Sequence, residues 1–118
     1  MTRDRRRGDC PPMPTDFVFL YVTAKDKAEA TALGRALLEK KLAACVNVTA
    51  GMESHYWWEG KIESATEAVL VVKTAASRVE AATRVLKALH SYEVPCILQF
   101  RVEDGNPEYL RWLASSLA

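Results

Sequence analysis

The stretch from Ala44 to Thr74 constrains this chain more than any other, because it reads as one very long β-hairpin. Its tip is Trp58-Glu59-Gly60-Lys61, where Gly60 can supply the positive φ that a two-residue connection demands. Each arm then runs for about a dozen residues, roughly twice the ~5–6 of an ordinary strand. A small domain cannot cover arms of that length by itself. A second copy of the same chain is the simplest source of cover.

The flanking segments give that hairpin a setting. Phe17 to Thr23, FVFLYVT, is an unbroken apolar run rich in β-branched and aromatic residues, so it is predicted to be a central strand covered on both faces. Asp26 followed by Glu29 reads as a capping box. Ala30, Leu33 and Leu37 then mark a buried helical stripe, and Lys40 and Lys41 suit the negative end of that helix. Within the first arm, Thr49-Ala50-Gly51 predicts a bulge. The return arm ends in Ala68-Val69-Leu70-Val71-Val72, apolar on both faces. Ser77 with Glu80 predicts a second capping box, followed by a stripe of Val79, Ala82, Leu86 and Leu89. Cys96 to Val102 alternates as a strand, with Cys96, Leu98, Phe100 and Val102 on one side. Asn106-Pro107 marks a helix start, and Leu110, Leu113 and Leu117 form the stripe of a terminal helix.

The resulting order, β-α-β-β-α-β plus an extra C-terminal helix, predicts an α+β, ferredoxin-like sandwich over residues 17–118. Both main helices should pack on one face of the sheet. The other face cannot be left wet. Phe17, Phe19 and Tyr21 oppose Val18, Leu20 and Val22, and each large apolar side chain left in water forfeits about 1.5–3 kcal/mol. The pattern therefore predicts an oligomer closed through the open sheet face.

Composition removes several function classes. The 118 residues hold 16 Lys and Arg against 15 Asp and Glu. Residues 1–16 carry four of the arginines and three of the aspartates, so 12 basic and 12 acidic residues remain from Phe17 onward. A balanced body of that kind argues against a nucleic-acid partner. No apolar run approaches the ~20 residues of a membrane-spanning helix. Cys10, Cys45 and Cys96 are odd in number and widely spaced, which points to a reducing, cytoplasmic setting. The Arg-, Asp- and Pro-rich start, residues 1–16, reads as a disordered leader. No P-loop, GxSxG, HExxH or EF-hand motif is present, so no catalytic residue is assigned and the chain is read as non-enzymatic.

Five motifs then agree in order and spacing: LEKKLAACVNV (Leu38 to Val48), SxYxWEGKIE (Ser54 to Glu63), VKT (Val72 to Thr74), HSYEVP (His90 to Pro95) and YLRWL (Tyr109 to Leu113). Together they resemble the CutA family of divalent-cation tolerance proteins across roughly Phe17 to Leu117. The resemblance implies a ferredoxin-like subunit in a tight homotrimer, a link to copper and other divalent ions, and no attached catalytic reaction. It also implies a copper site made of a first-strand cysteine and neighbouring histidines at the end of the second helix. Here Val22 holds the strand position and Leu89 precedes a single His90.

Soft thiolates and imidazoles suit copper, which makes Cys45, Cys96, His55 and His90 the available ligands. His90 and Cys96 are the candidate metal pair, for an ion that is not obligatory. Against this, His90 suits a helix C-terminus, and Cys45 and Cys96 suit core packing. A second constellation comprises Tyr56, Trp58, Glu59 and Lys61 at the tip, Glu67 and Lys73 on the return arm, and Tyr92. It reads either as an intersubunit pocket for a small anion or metal complex, or as ion pairs that set subunit register. The alternative function is a trimeric signalling or scaffold module of the PII type, binding a small anionic ligand in clefts between subunits.

Overall fold

The computed structural model describes residues 16–118; the predicted leader, Asp16 excepted, lies outside the described residues, and Cys10 with it. The elements run β1 (Phe17–Ala24), α1 (Lys27–Glu39), β2 (Cys45–Trp58), β3 (Lys61–Ala75), a 3-10 turn (Ala76–Arg78), α2 (Val79–Leu89), β4 (Ile97–Val102) and α3 (Pro107–Leu117). This is the β-α-β-β-α-β order with a C-terminal helix read from the sequence. One sheet forms in the order β2-β3-β1-β4, and every pairing is antiparallel.

The hairpin arms are 14 and 15 residues long and meet at a Trp58–Lys61 pair. Both intervening residues have positive φ, 50° at Glu59 and 79° at Gly60, the backbone of a type I′ turn whose twist matches the strands. The predicted bulge falls between Thr49 and Met52, with Gly51 at φ 81°. Beyond it the hairpin leaves the body, and the molecule measures 57 × 26 × 22 Å. Its radius of gyration is 16.4 Å, where a compact domain of this length gives about 13 Å.

Strand alternation sorts the side chains. Leu20, Val22 and Ala24 of β1, with Ala68, Leu70 and Val72 of β3, face Ala30, Leu33 and Leu37 of α1 and Ala82 and Leu86 of α2 to form the main core, and Val18 is buried on the same side of β1. Gly34 lets α1 approach closely: a Cβ there would lie 2.9 Å from Val46 Cγ2 and 3.0 Å from Leu70 Cδ1. The opposite sheet face is open over most of its length. Leu98 and Phe100 remain 53% and 54% exposed there. At one end, however, α3 packs Leu113 and Ala114 over Phe17, with Cys45 and Val102 beside them. The chain therefore closes part of the second face itself, which the strand pattern alone does not reveal.

The helix ends follow the sequence in two cases and depart from it in others. Asp26 accepts from the Glu29 N–H at 2.9 Å, and Asn106 accepts from the Glu108 N–H at 3.0 Å, with Pro107 opening α3. The predicted Ser77–Glu80 box does not form. A 3-10 turn closes there through the Val79 N–H and the Ala76 carbonyl, so the helix starts without a side-chain cap. Arg78 is committed elsewhere, donating to the carbonyls of Lys41 and, at 2.7 Å, of Leu117. The Lys41 side chain likewise reaches α3, donating to the Ser116 carbonyl at 3.3 Å, while its backbone N–H closes α1 on the Leu38 carbonyl at 3.0 Å. Leu89, placed in the buried stripe by its spacing, is exposed, because His90 takes the interior place at that level.

Candidate functional site

The HSYEVP segment leaves α2 and turns back across the ends of β1 and α1, where it forms the densest polar network of the described residues. The His90 side chain is fully buried. Its Nε2 lies 2.7 Å from the Thr23 carbonyl oxygen, and its Nδ1 is 3.0 Å from the Tyr92 backbone nitrogen. A carbonyl can only accept and an amide N–H can only donate, so Nε2 carries the proton and Nδ1 accepts. The helix-terminal role expected of the ring is thus replaced by a bridge to β1. Any metal at His90 has to displace one of these partners.

Two carboxylates complete the network. Glu29 reaches back to the Lys25 N–H at 3.0 Å and across to the Ser91 N–H at 2.8 Å, and lies 4.0 Å from His90 Nδ1. Burial pushes the Glu29 carboxyl up, but the hydrogen bonds from Lys25 and Ser91 outweigh it and hold the group below its ordinary range. Tyr92 donates its hydroxyl to Glu67 at 2.6 Å, and its ring lies 4.7 Å from that of His90. Burial, then the Glu67 bond, push the Tyr92 hydroxyl well above its ordinary range. Of the residues singled out by sequence, His90, Tyr92 and Glu67 come together. Glu29 and Ser91 were missed as members, because they bond across 62 residues of chain and Glu29 already looked fully employed as a cap.

The remaining candidates lie apart within one chain. Lys73 is at the far end of the Glu67–Val69–Val71 stripe, where it donates to the Tyr109 hydroxyl at 3.3 Å and lies over the rings of Phe19 and Tyr109. It makes no salt bridge among the described residues. Tyr56, Trp58, Glu59 and Lys61 stay on the projecting hairpin, exposed, along with Trp57 and Ile62. A pocket that uses all seven residues therefore requires more than one chain. Cys45 is half-buried under α3, and Cys96 is half-buried just before β4. Among the described residues no three His, Cys, Asp or Glu side chains gather into a cluster that could hold a metal ion. His55 is on the hairpin beside Glu53 and Ser64.

A family model described as the CutA1 divalent ion tolerance protein matches residues 18–116. The chain belongs to the CutA1 family. The CutA1 chain is 46% identical over 95 residues to the divalent-cation tolerance protein CutA of Archaeoglobus fulgidus, covering 80% of this chain and 92% of that one. It is 41% identical over 99 residues to the chloroplastic protein CutA 1 of Oryza sativa, covering 84% of this chain but only 56% of the rice protein. The crystal structure of the Oryza sativa CutA1 superposes with a TM-score of 0.84 at 40% identity, covering 87% of this chain and 94% of that one. That of CutA from Xylella fastidiosa gives 0.84 at 38% identity, covering 88% and 100%. The mixed α+β fold, with its four-stranded antiparallel sheet, is thus shared with solved CutA1 structures.

Proposed function

We propose that this CutA1-family chain acts as a homotrimer that binds a divalent cation, copper foremost, weakly and without catalysing a reaction. One observation carries the assembly: a sheet face bearing exposed Phe19, Leu98 and Phe100 runs on into a projecting hairpin bearing Tyr56 and Trp58. Apolar surface on that scale is normal for an interface and costly on a lone subunit. A closed ring of three copies covers the face of every subunit and brings tip residues of one copy towards the Glu67 and Lys73 stripe of another. The metal role draws on the family and on the names of its relatives. Calorimetric titration of the purified protein with copper and zinc salts tests it: saturable binding supports the reading, and its absence for both ions contradicts it.

Lys73 supports a second reading. Its ammonium meets only a hydroxyl and two aromatic faces among the described residues, an arrangement open to a small anion in a PII-like cleft between subunits. Titration with inorganic phosphate, and loss of binding in Lys73→Ala, tests that reading. For the compartment, free cysteines favour the cytoplasm, whereas the Archaeoglobus fulgidus structure is described as that of a periplasmic protein. Fractionation of cells expressing the chain distinguishes the two. Among the described residues no helix is long and apolar enough to cross a membrane.

A further inference from the structure

Glu53 and His55 are two residues apart on β2, so alternation turns both to one face of the hairpin. Ser64 lies directly opposite His55 across the ladder. The three side chains meet in line. Ser64 Oγ is 2.9 Å from His55 Nδ1, and His55 Nε2 is 3.2 Å from Glu53 Oε1. From this geometry we infer a site for a borderline divalent cation, Cu(II) foremost and Zn(II) next, held by His55 Nε2 and the Glu53 carboxylate while Ser64 orients the ring. The inference deepens the metal-binding reading above and rests on it.

The spacing fits a chelate without rearrangement. Metal–nitrogen bonds of about 2.0–2.1 Å and metal–oxygen bonds of about 2.0–2.2 Å, at square-planar or tetrahedral angles, separate the two donor atoms by about 2.8–3.5 Å. The observed 3.2 Å lies inside that span. Without a cation the same distance suits an Nε2–H donating to Glu53, with Nδ1 accepting from the Ser64 hydroxyl. The hydroxyl can equally accept, so Nδ1–H can donate to Ser64 and leave the Nε2 lone pair facing the carboxylate. Two electron-rich atoms at that distance repel unless a cation is between them. A metal ion thus selects the second tautomer, and Ser64 acts as the outer partner that ligating imidazoles ordinarily have.

The surroundings agree. The hairpin face that holds these residues also bears Trp57, Ile62 and Thr66, and no Lys or Arg, so no cationic side chain on that face neutralises Glu53. The opposite hairpin face, with Met52, Tyr56 and Trp58, is the one continuous with the open sheet. Met52 accepts from the Tyr21 hydroxyl there at 3.4 Å. The open sheet face that the proposed assembly covers is therefore not the face that holds His55. Of the chain's two histidines, His90 has both nitrogens occupied and its side chain fully buried, whereas the His55 side chain is 54% exposed. One imidazole and one carboxylate, with water filling the remaining positions, favour Cu(II) over Zn(II) by the usual affinity order and give Mg(II) no octahedral oxygen cage.

The test is calorimetric titration of the full chain with zinc and magnesium chlorides, paired with electron paramagnetic resonance of the Cu(II)-loaded protein. The expected results are zinc binding without magnesium binding and a copper spectrum with nitrogen coupling. His55→Gln should lower the zinc affinity about tenfold or more and remove the nitrogen coupling. Ser64→Ala should lower the affinity less than His55→Gln does, by about tenfold, the low end of what loss of an outer partner costs. Glu53→Gln, exposed and conservative, should weaken binding while keeping the nitrogen coupling. Binding and coupling unchanged in His55→Gln would overturn this site and leave the metal-binding reading standing. No binding of either zinc or copper by the unaltered chain would overturn both.

Discussion

Tyr92, His90 and Glu29 show how much one short segment fixes. Tyr92→Phe keeps the ring and removes only the 2.6 Å bond to Glu67, leaving a half-buried carboxylate short of a partner. Hydrogen bonds to charged groups contribute about 1.5–3 kcal/mol, so a loss of that order is expected in urea denaturation at fixed protein concentration. Glu29 gives a pH dependence with a definite sign. Its carboxyl is held below the ordinary value of 4.5, so the folded state favours the ionised form more than the unfolded chain does. That contribution is complete above about pH 4.5 and is lost as the pH falls through the lower folded-state value. Glu29→Gln should flatten the acid limb of stability measured between pH 3 and 6. The sequence made His90, Tyr92 and Glu67 visible as chemistry-bearing residues but not their partners. Thr23 takes part through a backbone carbonyl, which no side-chain pattern announces.

At the scale of elements, α3 is held by its far end. Arg78 and Lys41 supply cationic donors to the Leu117 and Ser116 carbonyls, which complements both the unsatisfied groups and the negative end of the helix dipole. Arg78→Ala should loosen the docked helix, read as faster amide hydrogen exchange across 107–117 and a stability loss of about 1–3 kcal/mol. The turn at Glu59-Gly60 offers a cleaner comparison. Gly60→Ala places a Cβ at φ 79° in open space, so its expected cost of about 1–2 kcal/mol is conformational rather than steric. The hairpin, its bulge and both asparagine and aspartate caps were legible because each rests on local backbone chemistry. The Ser77–Glu80 start was misread because the same local signal competes with a 3-10 turn, and the choice depends on what Arg78 does at long range. The partial closure of the second sheet face by α3 was hidden for a related reason: an amphipathic stripe says that a helix docks, not where.

For the whole molecule, the order of elements and the doubly apolar strands carried the fold, since a period-2 pattern with large apolar side chains on both faces allows few arrangements. The grouping of the candidate residues was less legible, because Lys73, Glu67 and the hairpin tip share a face of the ladder yet are separated along it by most of the molecule's length. Trp58→Ala removes an aromatic that is 61% exposed in the single chain. In the proposed assembly the change should weaken association by about 2 kcal/mol or more, seen as dissociation on dilution. The most direct measurement is the mass of the unaltered protein by light scattering across a hundredfold dilution. A constant mass of about 40 kDa, three times the 13.2 kDa chain, is the predicted result for a closed ring. A stable species at the mass of one chain would contradict it.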